Sequence, residues 1–250
     1  MNAALTSVVV AAFLAFCRVG GCFMLMPGLS SARVPLQIRL FVAVAASGAL
    51  LIHMWDKIAP FASRNPGVLL VLIVSESLIG ALIGLMARLY VLSLQFMASA
   101  IATLIGYGGV SGAGIEEPDP QAALGSLISF SALMLLFVFD FHHEIIKALV
   151  LSYDLAPISA MFNPQSALVD ITDTISESFM VVIRLGSPFI AYAILVNLAI
   201  GFVNKLTPQI PVYFISLPFV IAGGLIILYF GIPTMLSLFA DGFVDVTVGR

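Results

Sequence analysis

Charge is what this chain has least of. Asp, Glu, Lys and Arg make up 9% of its 250 residues, against about 25% in soluble domains. So little polar surface cannot cover a core in water, which excludes an ordinary soluble globular fold. The net charge of −3 gives no electrostatic support for nucleic acid as a partner. Cysteine is nearly absent too. Cys17 and Cys22 are the two present, and they lie five apart in one apolar run. A helix turns them to different faces, so they read as small core residues rather than a disulfide or metal pair. No basic segment precedes the first apolar run, since Arg18 is the first charged side chain. That run is therefore expected to remain as a membrane helix rather than leave as a signal peptide.

Apolar sequence fills the space left by charge. Hydrophobic residues make up 61% of the chain and its mean hydropathy is +1.16. The expectation is an all-α integral membrane protein. Six apolar runs are separated by punctuated loops: about Ala3–Met26, Leu40–Met54, Val68–Ile105, Ala122–Leu151, Phe179–Val203 and Val212–Phe239. The third is too long for one simple span. As one helix it reaches roughly 57 Å, against a hydrocarbon core of about 30 Å, so it must tilt, break or rise out of the bilayer. Between the fourth and fifth runs lies a polar stretch with an amphipathic segment near Leu168–Ile175. The turn Asn204–Pro211, "NKLTPQIP", makes the last two runs a helical hairpin. With the N-terminus outside, Arg33, Arg39 and Lys205 fall inside, as the positive-inside rule expects. No tandem repeat is visible.

Four charges interrupt the apolar runs: Arg18, Glu76, Arg88 and Arg184. Each costs at least about 2.5–3.5 kcal/mol at mid-membrane unless paired or hydrated. They predict ion pairs or snorkelling to an interface, or else an aqueous path or a protein interface within the membrane. Gly80 and Gly84 form a GxxxG pattern, which lets helices approach closely.

"GYGGVSGAGIEEPDP", residues 106–120, is the stretch least like the rest. It holds five glycines (Gly106, Gly108, Gly109, Gly112, Gly114), Tyr107, and three acids, Glu116, Glu117 and Asp119. The preceding "TLIGYGG" has one residue too many for a potassium filter, which needs its threonine and carbonyls in fixed register. The loop lacks the Gly-Lys-Ser/Thr ending of a phosphate cradle, and Ser111 replaces the third glycine of G-x-G-x-x-G. A glycine-rich broken helix at 106–114 in a secondary transporter or ion channel is the alternative reading. "DFHHEI", residues 140–145, lacks the second histidine of His-Glu-x-x-His. Its adjacent His142 and His143 are expected to point apart on a helix, which argues for a polar helix boundary over a metal site. No nucleophile–base pair stands out, so no catalytic role and no cofactor are expected.

The order of motifs resembles a known family. "RVGGCFMLMPGLSSARVPLQIRL" is similar to the opening of the FliR family of type III secretion export-gate subunits, through Arg18, Gly21, Pro27, Pro35 and Arg39. "FDFHHEIIKALVLSYDLAPI" resembles that family's histidine-pair helix, with Phe139-Asp140-Phe141 where a small polar turn is more common. "LVNLAIGFVNKLTPQIPVYFISLPFVIAGGLIIL" resembles its C-terminal hairpin. The resemblance covers nearly the whole chain. It implies long, kinked helical hairpins packed into a helical hetero-oligomeric pore, in the bacterial inner membrane at a flagellar basal body or injectisome base. It implies FliP, FliQ and FlhB homologues as partners, rod or hook components beyond them, surrounding lipids, and unfolded export substrates as cargo. Residues 1–175 would be the FliP-like part and 176–250 the FliQ-like hairpin. The loop at 106–120 would plug the pore, and Asn204, Lys205, Pro208 and Gln209 would lie at its cytoplasmic entrance.

Overall fold

A computed structural model describes residues 2–31, 34–62, 65–107 and 120–247. All regular structure among them is helical: α1 (Asn2–Leu25), α2 (Leu36–Ile58), α3 (Pro66–Leu104), α4 (Pro120–Val138), α5 (Phe141–Leu155), α6 (Pro164–Leu206) and α7 (Val212–Thr247). Short 3-10 turns at Ala59–Phe61 and Ile158–Ala160 join α2 to α3 and α5 to α6. Among the described residues, five helices are long and apolar enough to cross a membrane, or six if α4 and α5 form one broken span. Helices satisfy their own backbone groups, which lipid demands. The expected all-α membrane-type fold is what forms.

The third run does not break. α3 continues for 39 residues with no internal proline, reaching about 58 Å. The fourth run does break, contrary to its reading as one stretch. Asp140 takes a left-handed conformation, φ 57° and ψ 31°, between α4 and α5. The polar stretch before the fifth run breaks only over residues 156–163, between α5 and α6. From Pro164 onward it is absorbed into α6, one helix of 43 residues. Pro188 lies inside that helix and, lacking an N–H, leaves the Arg184 carbonyl without its usual donor. The Ser187 hydroxyl donates to that carbonyl at 2.8 Å instead, one of the ways a membrane helix tolerates proline.

The chain divides into two units. The first comprises residues 1–91, 140–176 and 243–250. Its core packs Ala11, Leu14 and Ala15 of α1 with Met54 and Ile58 of α2, Leu72 of α3 and Tyr153 of α5. The Phe243 ring meets Tyr90 and Phe141 edge-on, each at a centroid distance of 5.7 Å. Such T-shaped contacts align ring edge with ring face. The second unit comprises residues 92–139 and 177–242. There the helices close on small residues. A Cβ on Gly224 would fall 2.5 Å from Ile105, and Gly223 sits against the Tyr192 ring. The Tyr192 hydroxyl donates to the Val220 carbonyl at 2.7 Å, tying α6 to α7.

Candidate functional site: a buried charge centre, a loop foot and a hairpin turn

In the first unit, α1 and α3 cross on glycine. The site for a Cβ on Gly80 overlaps the backbone carbonyl of Arg18, and that on Gly84 the carbonyl of Cys22. Gly21 faces back, where a Cβ would lie 2.5 Å from the Ser77 carbonyl oxygen. Both helices therefore present bare backbone at the crossing, as close helix contact in lipid requires. Cys17 and Cys22 are free and buried beside it, the core positions their spacing predicts.

This crossing sets the Arg18 side chain opposite Glu76. Both side chains are fully buried. Nε donates to one Glu76 oxygen at 2.7 Å and Nη2 to the other at 2.8 Å, a bidentate geometry that suits guanidinium and carboxylate. α5 completes the cage. Nη1 donates to the Ser152 hydroxyl at 3.0 Å, and Nη2 to the Ala156 carbonyl at 2.9 Å. The Ser152 hydroxyl in turn donates to the Leu149 carbonyl at 2.7 Å. The guanidinium carbon lies 3.8 Å from the centre of the Tyr153 ring, a cation–π arrangement. One salt bridge thus fastens three helices, and Arg18 and Glu76 are the structural pair among the four interrupting charges. Sequence reasoning missed Ser152, Tyr153 and Ala156. They lie in ordinary helical sequence more than 130 residues from Arg18, with no spacing to mark them.

The remaining residues of the opening motif are also structural. Pro35 starts α2. The Arg39 guanidinium donates to the carbonyls of Ser31 and Val34, holding the turn that Pro27 begins.

Arg88 and Arg184 differ from Arg18. Arg88 is half-buried on α3 and Arg184 is exposed on α6. Among the described residues neither makes an ion pair.

In the second unit, α3 ends at the foot of the glycine-rich loop. Gly106 has φ 73°, a left-handed conformation that glycine adopts without penalty. Its amide donates to the Thr103 carbonyl at 3.0 Å, which ends the helix. A notch of about 70 Å³ opens there, with Thr103, Gly106, Asn197, Tyr213 and Ser216 in its lining. Polar groups of this kind suit water or irregular backbone rather than lipid. Tyr107 is half-buried beside Gly106. Gly108, Gly109, Gly112, Gly114, Glu116, Glu117 and Asp119 lie outside the described residues.

The hairpin turn is open on every side. Asn204, Lys205, Pro208 and Gln209 are all exposed. Lys205 stands in the last turn of α6, where its charge complements the helix dipole. Thr207 accepts the Ile210 amide at 3.2 Å, closing the turn.

At the start of α5 the histidine pair departs from expectation. The imidazoles of His142 and His143 do not point apart; their ring centroids are 4.3 Å from each other. The preceding left-handed residue aims both rings toward the Asp140 carboxylate.

Comparison with known proteins decides the family. Residues 9–246 match the profile of bacterial export proteins, family 1. The chain belongs to this family. Its relatives include the flagellar biosynthetic protein FliR of Caulobacter vibrioides, 28% identical over 246 residues, which span 97% of each chain. The FliR of Aquifex aeolicus is 26% identical, over 93% of this chain and 89% of its own. That of Escherichia coli is 27% identical, over 80% and 75%. The resemblance read from Arg18 to Arg39 and from the C-terminal hairpin is borne out, and with it a place among membrane-embedded export-family proteins of flagellar biosynthesis.

Proposed function

We propose that this chain is a non-catalytic subunit of the flagellar type III export gate. It sits in the bacterial inner membrane at the basal body. With FliP, FliQ and FlhB homologues it encloses a pore for unfolded substrates. The observation that carries this reading is the export-family match over residues 9–246.

Three physical features support it. Phe214, Phe219, Tyr229 and Phe230 of α7 are each about three-quarters exposed, and the most apolar window of that helix is only 11% buried. Lipid or neighbouring subunits must cover such a surface. α3 and α6, at 39 and 43 residues, are about twice as long as a bilayer's hydrocarbon core is thick. An assembly that rises out of the membrane accommodates them. Arg184 is exposed within the same apolar hairpin, which is tolerable against pore water or a partner carboxylate. In this reading residues 1–175 take the place of FliP and 176–250 that of FliQ, with Asn204–Gln209 at the cytoplasmic entrance.

The loop at 106–120 is the proposed plug. It leaves α3 at a polar notch, and its glycines rearrange at little cost while offering no bulk to a sliding polypeptide. Deletion of residues 108–114 is expected to raise small-ion conductance across the membrane, read as loss of ion gradients in cells carrying the assembled complex. Normal conductance together with normal export would remove the plug from the account.

A further inference from the structure

We propose that Asp140, His142 and His143 form a binding site for a divalent transition-metal cation of the zinc class. Their potential ligand atoms all lie within 4.8 Å of one another. His142 Nε2 is 3.8 Å, and His143 Nδ1 3.6 Å, from the same Asp140 oxygen. Tetrahedral zinc with nitrogen and oxygen ligands at about 2.0–2.2 Å separates neighbouring donors by roughly 3.4 Å. The two carboxylate–imidazole separations are therefore within a few tenths of an ångström of that spacing, and side-chain rotation of the exposed His143 closes the rest.

The backbone explains why adjacent histidines converge. Asp140 precedes α5 in the position that normally caps a helix with its side chain. It makes no such cap hydrogen bond, because its φ of 57° is left-handed whereas a capping residue is extended. The carboxylate turns to the two imidazoles instead. Left-handed backbone is uncommon outside glycine, although aspartate tolerates it better than most residues, and such conformations cluster at functional sites. Glu144, the other nearby acid, is engaged with Lys147 at 2.6 Å, which leaves Asp140 as the carboxylate ligand.

Donor chemistry selects the ion. Two imidazoles and one carboxylate suit zinc, copper or nickel, whereas magnesium and calcium prefer an all-oxygen shell. Asp140 and His143 are well exposed and His142 is half-buried. Water thus completes the coordination, and the ion enters from solvent. The positive end of α5 opposes a cation, and the Asp140 charge offsets it. The balance favours reversible binding rather than a permanent structural metal. Bound there, the ion would lock the first turn of α5 to the left-handed residue before it.

The probe is zinc sulfate added to the full-length chain in detergent, followed by gel filtration and elemental analysis of the protein peak. Cobalt in place of zinc adds a visible d–d absorption that reports the ligand set. Asp140→Gly removes the carboxylate while accepting the left-handed backbone. His143→Gln removes an exposed imidazole and leaves that backbone untouched. Stoichiometric zinc on the wild-type chain, lost in both variants and kept in His53→Gln, is the expected result. Wild-type protein without zinc, or either site variant retaining it undiminished, would overturn the proposal.

Discussion

Glu76→Ala is expected to destabilise the chain by about 3–5 kcal/mol, the usual cost of leaving one member of a buried ion pair unpaired. Arg18 would keep its bonds to Ser152 and Ala156, but its charge would remain fully buried without a counter-ion. Arg18→Ala strands Glu76 in the same way. Removing both charges together, as in Arg18→Met with Glu76→Leu, should recover most of the loss, because paired buried charges add little over well-packed apolar groups. The measurement is the midpoint of unfolding in detergent, compared across the two single variants and the double. The pair is structural if the double is more stable than either single. Strict additivity would show that the bidentate contact contributes nothing. The exposed pair of Lys57 with Asp154, also short at 2.6 Å, bounds the comparison. Solvent screening limits such a bridge to about 0–1 kcal/mol, so geometry alone does not set the magnitude.

Gly80→Leu is expected to have the other large effect. Even a methyl group at Gly80 would coincide with the Arg18 carbonyl, and backbone cannot step aside as a flexible side chain can. α1 and α3 would have to separate, which also pulls Arg18 from Glu76. Overpacking alone typically costs about 1–3 kcal/mol, and the disrupted pair adds to that. Loss of the folded chain from membranes is the expected readout. Gly48 provides the control. It lies mid-helix in α2 with nothing within 4 Å of a Cβ site. Gly48→Ala should leave stability unchanged or raise it by up to about 1 kcal/mol through helix propensity. Equal damage from both substitutions would locate the cause in helix dynamics rather than in the crossing.

These two variants also show which parts of the fold could be read in the sequence. GxxxG at Gly80 and Gly84 announced a close helix contact, and the rarity of charge announced that Arg18 and Glu76 needed partners. Neither announced the other: Arg18 and Glu76 are 58 residues apart, and pairing depends on how helices cross. Helix breaks were harder. Asp170, Asp173 and Glu177 looked like a polar connection. In α6 they sit three and four residues apart, with Asp173 and Glu177 exposed and Ala167 and Thr174 buried. That 3.6-residue period was present, masked by low hydrophobicity. Asp140 shows the converse. The apolar run continued through it, yet the chain turned left-handed there, a choice that side-chain pattern does not encode. The same turn drew His142 and His143 together against the helical rule for adjacent residues. The hairpin turn was legible because Pro208 and Pro211 cannot continue a helix that ends at Leu206.

For the function, sequence motifs and the family match point to the same place, a component of the flagellar type III export apparatus, and the exposed apolar surface of α7 needs lipid or neighbouring subunits to cover it. A broken-helix transporter with the same glycine-rich loop would work without other subunits. Native mass measurement of the complex extracted gently from the membranes of its own cells separates the two accounts most directly. The export-gate reading predicts a large hetero-oligomer in which this chain co-purifies with FliP and FliQ homologues. A homogeneous chain without other subunits, active in reconstituted vesicles, would contradict it.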